Sequence, residues 1–338
     1  MGVEPQAVVV IPTLSADFTL SECLGCLARQ RYAAFQTIVV DNSGKGLVNK
    51  LGSLPLQVQV IENEQNVGFG AAINQGWRAT RSEYVVSLND DALPSPEWLE
   101  SLVGAVESAP ARVGMAASAI RLLGEGQLDS AGMLIASDGS SKQRGHGKEQ
   151  SEYPDLEEVL LPSGAAALYR RGMLQQIGGF DDDFFLYCED TDVGLRARWA
   201  GWSCLYVPGA VVEHRYSHSA GRASAMKAYY VERNRLYVVV KNFPATAVVK
   251  ALPMYIVRYA WHLVFLVRGV GAASQYREGG SGVALAWFVM RAHLSVVWHL
   301  GSLLRKRRLN QRTATITSEE FTAALERFSL SVREVAAL

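Results

Sequence analysis

AVVVIP (Ala7–Pro12) and TIVVDN (Thr37–Asn42) are short β-branched runs that stop at turn residues, with a helical pattern, Thr19–Gln30, between them. VQVIEN (Val58–Asn63) and YVVSLND (Tyr84–Asp90) repeat the theme, followed by helical patterns at Gly68–Thr80 and Pro96–Ser108. Strands alternating with helices predict an α/β fold on a doubly wound, mostly parallel sheet. The runs are apolar at nearly every position, so both faces of that sheet should be covered. Ser95 reads as the cap of the third helix and Pro96 as its first-turn proline.

Ligands of such sheets bind beyond the carboxyl ends of the strands. The four strands end, in turn, at Pro12-Thr13, Asp41-Asn42-Ser43, Glu62-Asn63 and Asn89-Asp90-Asp91. Acids gather on one edge, which a purely structural sheet does not need. Asp41 is placed to hold a ribose hydroxyl or a base edge. Asn89-Asp90-Asp91 offers oxygen ligands to a hard cation such as Mg²⁺ or Mn²⁺, which binds through one or two carboxylates plus substrate phosphates. A second acidic cluster lies in FDDDFFLYCEDTDVGLRARWAGW (Phe180–Trp202), where Glu189–Ala200 reads as a helix. Asp192 falls in its first turn, where an acid suits the dipole.

The remaining signals bound the answer. A chain of 338 residues with no net charge has room for about two domains and no global field that would attract nucleic acid. Cys23 and Cys26 form a CxxC inside a helical pattern, with no second pair to complete a zinc site, and read as small apolar residues of a reducing compartment. The opening MGVEPQAVVVIP has an acid and a proline where a secretory signal needs a basic end and a long apolar core, so export by that route is not expected. Residues 122–161 read as hairpins and a mobile loop. LPSGAAALYRRGML (Leu161–Leu174) returns to strand character, GWSCLYVPG is a strand, and Tyr229–Asn242 is helical.

From Lys250 to Arg312 ten basic residues accompany a single acid, Glu278. Residues 248–268 and 283–304 are apolar, but Arg258 and Arg291 interrupt them before the ~18 residues of a spanning helix. At about 100° per residue, Lys250, Arg258, His262 and Arg268 share one narrow stripe, as do Arg291, Ser295, His299, Ser302, Arg305 and Lys306. Broad apolar faces with basic stripes predict helices lying in a bilayer interface, with Arg305–Arg308 drawn to anionic lipid. The alternative is a helical pair packed on the rest of the chain or on another subunit of a homo-oligomer. The expected division is therefore a catalytic domain over 1–245 and an amphipathic helical region over 246–338.

VVIPT, VVDNSG, NVGFGAAINQG, SLNDDALP, SGAAALYRR and the Phe180–Trp202 stretch stand in the order found in family 2 glycosyltransferases of the GT-A fold, a Rossmann-like α/β fold. The chain resembles their rhamnosyltransferase-type branch over about residues 5–245. The resemblance implies that Thr13 and Asp41 hold the nucleoside of a sugar-nucleotide donor. It implies that Asn66, Gly68 and Asn74 line the donor site, with Asn89 and Asp90 as further donor contacts. Asn89 and Asp91 stand at the family's DxD pair, which makes Asp91 a ligand for Mg²⁺ or Mn²⁺. His214 matches a position that completes the metal site, or is a loop histidine bonded to backbone. Asp190 resembles the base that takes the acceptor's proton, and Glu189 would orient the acceptor. Gly164 and Trp202 fall on the acceptor side. Asp181–Asp183 either shape the acceptor mouth or form a solvated loop. Crowding by acids should raise the pKa of the base.

The resemblance implies inversion and suggests dTDP-L-rhamnose as donor. With a basic, apolar tail it suggests a polyprenyl-diphosphate-linked saccharide as acceptor, for a bacterial surface polysaccharide. The expected location is peripheral, on the cytoplasmic face of the plasma membrane. Other readings are transfer from a UDP-hexose or UDP-galactofuranose, and a lipid-surface scaffold without turnover. A sugar-nucleotide synthase would need a Gly-rich basic loop after the first strand, and PTLSADFTLSE has neither Gly nor Lys nor Arg.

Overall fold

The computed structural model describes residues 5–215, 225–269 and 282–337. Four parallel strands build its first half: β1 (Ala7–Thr13), β2 (Phe35–Asp41), β3 (Gln59–Glu62) and β4 (Tyr84–Leu88). Successive side chains of a strand point to opposite faces. Ala7, Val9 and Ile11 therefore enter one core with α1 (Phe18–Leu27) and α3 (Trp98–Glu107). Val8 and Val10 enter the other with α2 (Phe69–Arg78). Each fully buried Val or Ile contributes roughly 1.5–3 kcal/mol, which is why nearly continuous apolar strands settle in the middle of the sheet.

The second half of the sheet is mixed. It adds β5 (Ala92–Pro94), β6 (Val113–Leu122), β7 (Leu128–Ser130), β10 (Glu157–Val159), β11 (Ala166–Arg170) and β12 (Ser203–His214). The order across the sheet is β10-β12-β6-β11-β4-β1-β2-β3, with β5 on β12 and β7 on β6. β11 runs antiparallel between β4 and β6, whereas β12 is parallel to β6. A small sheet joins β8 (Met133–Ala136), β9 (Ser141–Gln143) and β13 (Ser329–Leu330). Within residues 122–161, expected as hairpins and a mobile loop, Arg144 is tied to Glu157 at 2.6 Å and Arg121 to Gln150.

Helix ends differ from expectation where side chains from elsewhere intervene. α3 starts at Trp98 rather than Pro96, and Ser95 does not cap it. The Leu99 N–H is met by Gln30 Oε1 at 3.0 Å, while Gln30 Nε2 donates to the Ser95 carbonyl. α1 stops at Leu27, with Arg29 and Gln30 closing the turn through i−3 bonds. Cys23 is buried and Cys26 half-buried on that helix, and both are free thiols.

Two compact units divide the chain: Met1–Met133, Gln143–Ala197 and Gly201–Tyr216 in one, Leu134–Lys142, Arg198–Ala200 and Ser217–Leu338 in the other. α6 (Ala225–Asn242), on the catalytic side of the division expected at 245/246, packs in the second unit. There it meets α8 (Gly282–Thr313) through Tyr237 Oη and Ser295 Oγ at 3.2 Å. α7 (Ala245–Arg268), α9 (Ser318–Arg327) and α10 (Val332–Ala337) complete that unit. Trp199 stacks on Phe321 at 4.1 Å, and its Nε1 donates to the Asn242 carbonyl.

Of the basic stripe expected on α7, Lys250 and Arg268 are exposed, but Arg258 is not. Arg258 is buried, with Nε 2.7 Å from Asp138 and Nη2 2.8 Å from Glu232, which also pairs with Arg235. A buried guanidinium must keep its carboxylate partners, so Arg258 is fixed inward while aliphatic side chains on the other face of α7 are exposed. Among the described residues no helix is long and apolar enough to cross a membrane.

Candidate active site

The strand ends converge as the acids implied. Thr13 Oγ1 donates to Asp90 Oδ2 at 2.6 Å and accepts from the Ala16 N–H. Burial pushes the Asp90 carboxyl up to about 6, against the Thr13 bond that lowers it. Asp41 is fully buried, and its oxygens accept from the backbone N–H groups of Ser43 and Val48. Those bonds, with others from the same loop, outweigh burial and hold Asp41 below the usual carboxylate range. The carboxylate thus shapes the loop that closes the end of β2, and any nucleoside contact would come through that loop.

Asn89, Asp91 and His214 form the next group. His214 Nε2 lies 3.2 Å from Asp91 Oδ1 and 3.1 Å from Asn89 Nδ2. Its Nδ1 is 3.1 Å from Asp129 Oδ2, and Asp129 Oδ1 is 3.2 Å from His146 Nδ1. Burial alone would pull His214 down, but the Asp129 and Asp91 carboxylates lift it to about 9. Asp129, although buried, is held low by its two histidines. His214 is therefore bonded to side chains, not to backbone. Asp129 and His146 escape a reading of the sequence because neither belongs to a local motif.

Those residues fit a divalent cation in an open site. Among the described residues no three His, Cys, Asp or Glu side chains form a closed metal cluster. Asp91 and His214 would supply two ligands on the sheet edge, which would leave positions for phosphate oxygens and water. Asp129 on Nδ1 orients His214 so that Nε2 faces Asp91, the arrangement by which outer carboxylates fix a metal-binding imidazole.

The second acidic cluster is held to this edge by backbone. α5 (Glu189–Trp199) begins with Glu189 and Asp190. Asp190 Oδ2 accepts from the Gly164 N–H at 3.1 Å, and Oδ1 accepts from the Thr191 N–H. Gly164 O in turn accepts from Ser87 Oγ, and Ala165 O accepts from the Asn89 N–H. One strand end therefore carries Asp190 on one side and Asn89, with His214 and Asp91, on the other. Gly164 contributes an N–H rather than a side chain. A Cβ there would stand 3.3 Å from Asp190 Cβ.

Burial raises Asp190 above the usual carboxylate range, against the Gly164 and Thr191 bonds. Glu189 is more extreme. It is buried, its Oε2 has no hydrogen-bond partner, and burial with the Asp190 charge lifts it to about 8. The turn before α5 is strained: Phe185, Tyr187 and Cys188 all have positive φ near 60°, a region costly for residues with a Cβ. α2 holds it in place. Gly68 leaves no room for a Cβ, which would lie 2.3 Å from Phe185 O, and the Phe69 N–H donates to that same oxygen. Asn74 donates to the Phe180 carbonyl and Asp182, and accepts from Trp77 and Phe180. Its amide is fully engaged inside the protein, so Asn74 braces the site rather than lining it. Asn66 caps the Gly68 N–H at 2.9 Å. Asp181 and Asp183 bond locally, and Asp183 is exposed.

Trp202 is not brought to this edge. Ser203 pairs with Val113 at the amino end of β6, whereas His214 pairs with Leu122 at its carboxyl end. Trp202 packs over Gly114 and donates to Gln176, at the far end of α5 from the acids.

Comparison with known proteins shows the fold and the family. A mannosyltransferase from Pyrobaculum calidifontis, solved with GDP-Man and Mn²⁺, matches with a TM-score of 0.54 at 18% identity over 96% of this chain and 87% of that one. Residues 1–349 of S. aureus TarS, solved with UDP, match at 0.51 and 18% identity over 96% and 91%. The shared fold is of the GT-A type. An N-acetylglucosaminyl-diphospho-decaprenol L-rhamnosyltransferase of Mycobacterium tuberculosis is 45% identical over 84 residues, 24% of this chain and 26% of that protein. The match thus spans about a quarter of that relative's length. A pre-mycofactocin glycosyltransferase of the same species is 31% identical over 51% of this chain and 35% of its own. The profile of glycosyl transferase family 2 matches residues 8–178, half of the chain, and by that match the protein belongs to glycosyl transferase family 2.

Proposed function

We propose that the enzyme transfers L-rhamnose from dTDP-L-rhamnose, with inversion, to a polyprenyl-diphosphate-linked saccharide. The work would be done at the cytoplasmic face of the plasma membrane, in synthesis of a bacterial surface polysaccharide. The observation that carries the reading is the shared strand end that holds Asp190 through Gly164 and Asn89 through Ala165. The likeness to the mycobacterial rhamnosyltransferase supports the choice of sugar and acceptor.

The chemistry follows from the two sides of that edge. Asp190 takes the proton of the acceptor hydroxyl, and a carboxylate raised by burial is better matched to this near neutral pH than an ordinary one. The hydroxyl oxygen then bonds to the anomeric carbon as the bond to the diphosphate breaks, so no covalent enzyme intermediate is needed. Glu189, protonated at neutral pH, donates a hydrogen bond that orients the acceptor. Asn89 and Asp90 contact the donor, and the loop closed by Asp41 borders its nucleoside. Asp91 and His214 would hold Mg²⁺ or Mn²⁺, which supplies positive charge to the departing diphosphate.

The test offers dTDP-L-rhamnose, UDP-hexoses and UDP-galactofuranose with Mn²⁺ or Mg²⁺ and a polyprenyl-diphosphate N-acetylglucosamine. Mass spectrometry should show product from dTDP-L-rhamnose alone. Product from a UDP-sugar instead would overturn the donor, and donor binding without transfer from any of them would favour a scaffold.

A further inference from the structure

α7 and α8 present an unusual surface. Fifteen of the twenty large apolar side chains exposed among the described residues lie on these two helices. On α7 they follow helical spacing along one face: Val249, Leu252, Ile256, Leu263 and Val267, the last 83% exposed. On α8 Trp287, Met290, Leu294, Val297 and Trp298 do the same, and Trp298 is 86% exposed. An apolar area of that extent on a protein surface marks a binding face. α7 turns Arg258 inward to Asp138 and Glu232, so its outward aliphatic row is the reverse of a helix facing water. The two helices touch through Tyr255 Oη and His293 Nε2 at 2.6 Å.

Charge identifies the occupant. Neither α7 nor α8 contains an Asp or Glu. The α8 row runs on into Arg305, Arg308 and Arg312, all exposed at its carboxyl end. A second copy pairing through the same two helices would offer those cations no carboxylate to meet. A lipid surface bearing phosphate complements both parts. Aliphatic side chains enter the acyl boundary, tryptophans sit at headgroup level, and arginines meet phosphate.

We infer that the outward faces of α7 and α8 form a docking surface for an anionic bilayer, entered by the Val249–Val267 and Trp287–Trp298 rows and anchored by Arg305, Arg308 and Arg312. The surface is independent of which sugar is moved. The test is flotation of the full chain, without donor, on phosphatidylcholine vesicles with and without phosphatidylglycerol. The wild type should float with the anionic vesicles. Leu294→Glu with Trp298→Glu should cut binding by roughly 10-fold or more, and Arg305→Gln with Arg308→Gln should remove the preference for phosphatidylglycerol. Both pairs are exposed, and thermal unfolding should stay near wild type. Wild-type protein that stays with the soluble fraction, or glutamate variants that float as well as wild type, would overturn the inference. So would sedimentation showing a dimer that the glutamate variants dissociate, since the face would then join two copies. Because no donor is present, failure of rhamnosyl transfer leaves this result untouched.

Discussion

Glu189 and Glu232 are both buried glutamates on helices, and their environments drive them in opposite directions. Burial and the neighbouring Asp190 lift Glu189 to about 8, with one oxygen lacking any partner. Burial acts on Glu232 too, yet Arg235 and Arg258 overcome it and hold its carboxyl at about 2. The second unit thus neutralises its buried acids with guanidinium groups. The first unit leaves the Glu189 carboxyl without a cation to pair with. Maintaining an unpaired buried acid costs stability. A fold retains it where something from outside completes the pair, which is why Glu189 reads as a working group and Glu232 as structure.

The largest change should come from breaking the paired side. Arg258→Met leaves Asp138 and Glu232 facing one fewer cation, and removing one partner of a buried pair costs roughly 3–5 kcal/mol. Denaturant unfolding should show that loss, and a change near zero would mean that the network contributes little. A smaller effect is expected at Asp129, which has no part in the reaction itself. Asp129→Asn should weaken Mn²⁺ binding by roughly 10–100-fold by calorimetry, with the fold intact. Unaltered affinity would remove Asp129 as the group that orients His214. The unpaired side should show itself through pH. A carboxyl raised in the folded state contributes stability below its unfolded pKa of about 4.5 that is lost as pH rises through about 8. Wild-type melting temperature should therefore fall relative to Glu189→Gln between about pH 5 and 8. Parallel curves would mean that Glu189 is not desolvated as described.

The same contrast explains what can be read from the chain. β1 to β4 and their helices are legible because buried parallel strands leave continuous apolar runs, and Asn89-Asp90-Asp91 and Glu189-Asp190 are legible as acids at element ends. The partners of those groups are not. Asp129 reaches His214 through the register of β6, β7 and β12, and His146 reaches Asp129 from a later turn, which no local pattern encodes. Asp138 looks like an ordinary turn residue, and Glu232 with Arg235 looks like an exposed i,i+3 pair. Periodicity identifies α7 as amphipathic, but periodicity has no sign: it cannot say that Arg258 faces inward. Trp202 lies at the other edge because a continuous stretch of acids and aromatics does not make one site. The eleven residues of α5 separate its two ends.

The central claim is that Asp190 removes the acceptor's proton at an edge whose other side holds the donor. Donor affinity and transfer should be measured together on Asp190→Asn, with Mn²⁺ present and the lipid-linked acceptor saturating. The account predicts donor affinity within about two-fold of wild type and transfer lower by on the order of 10²-fold or more. Transfer at the wild-type rate, or loss of donor binding to the same extent as loss of rate, would contradict it.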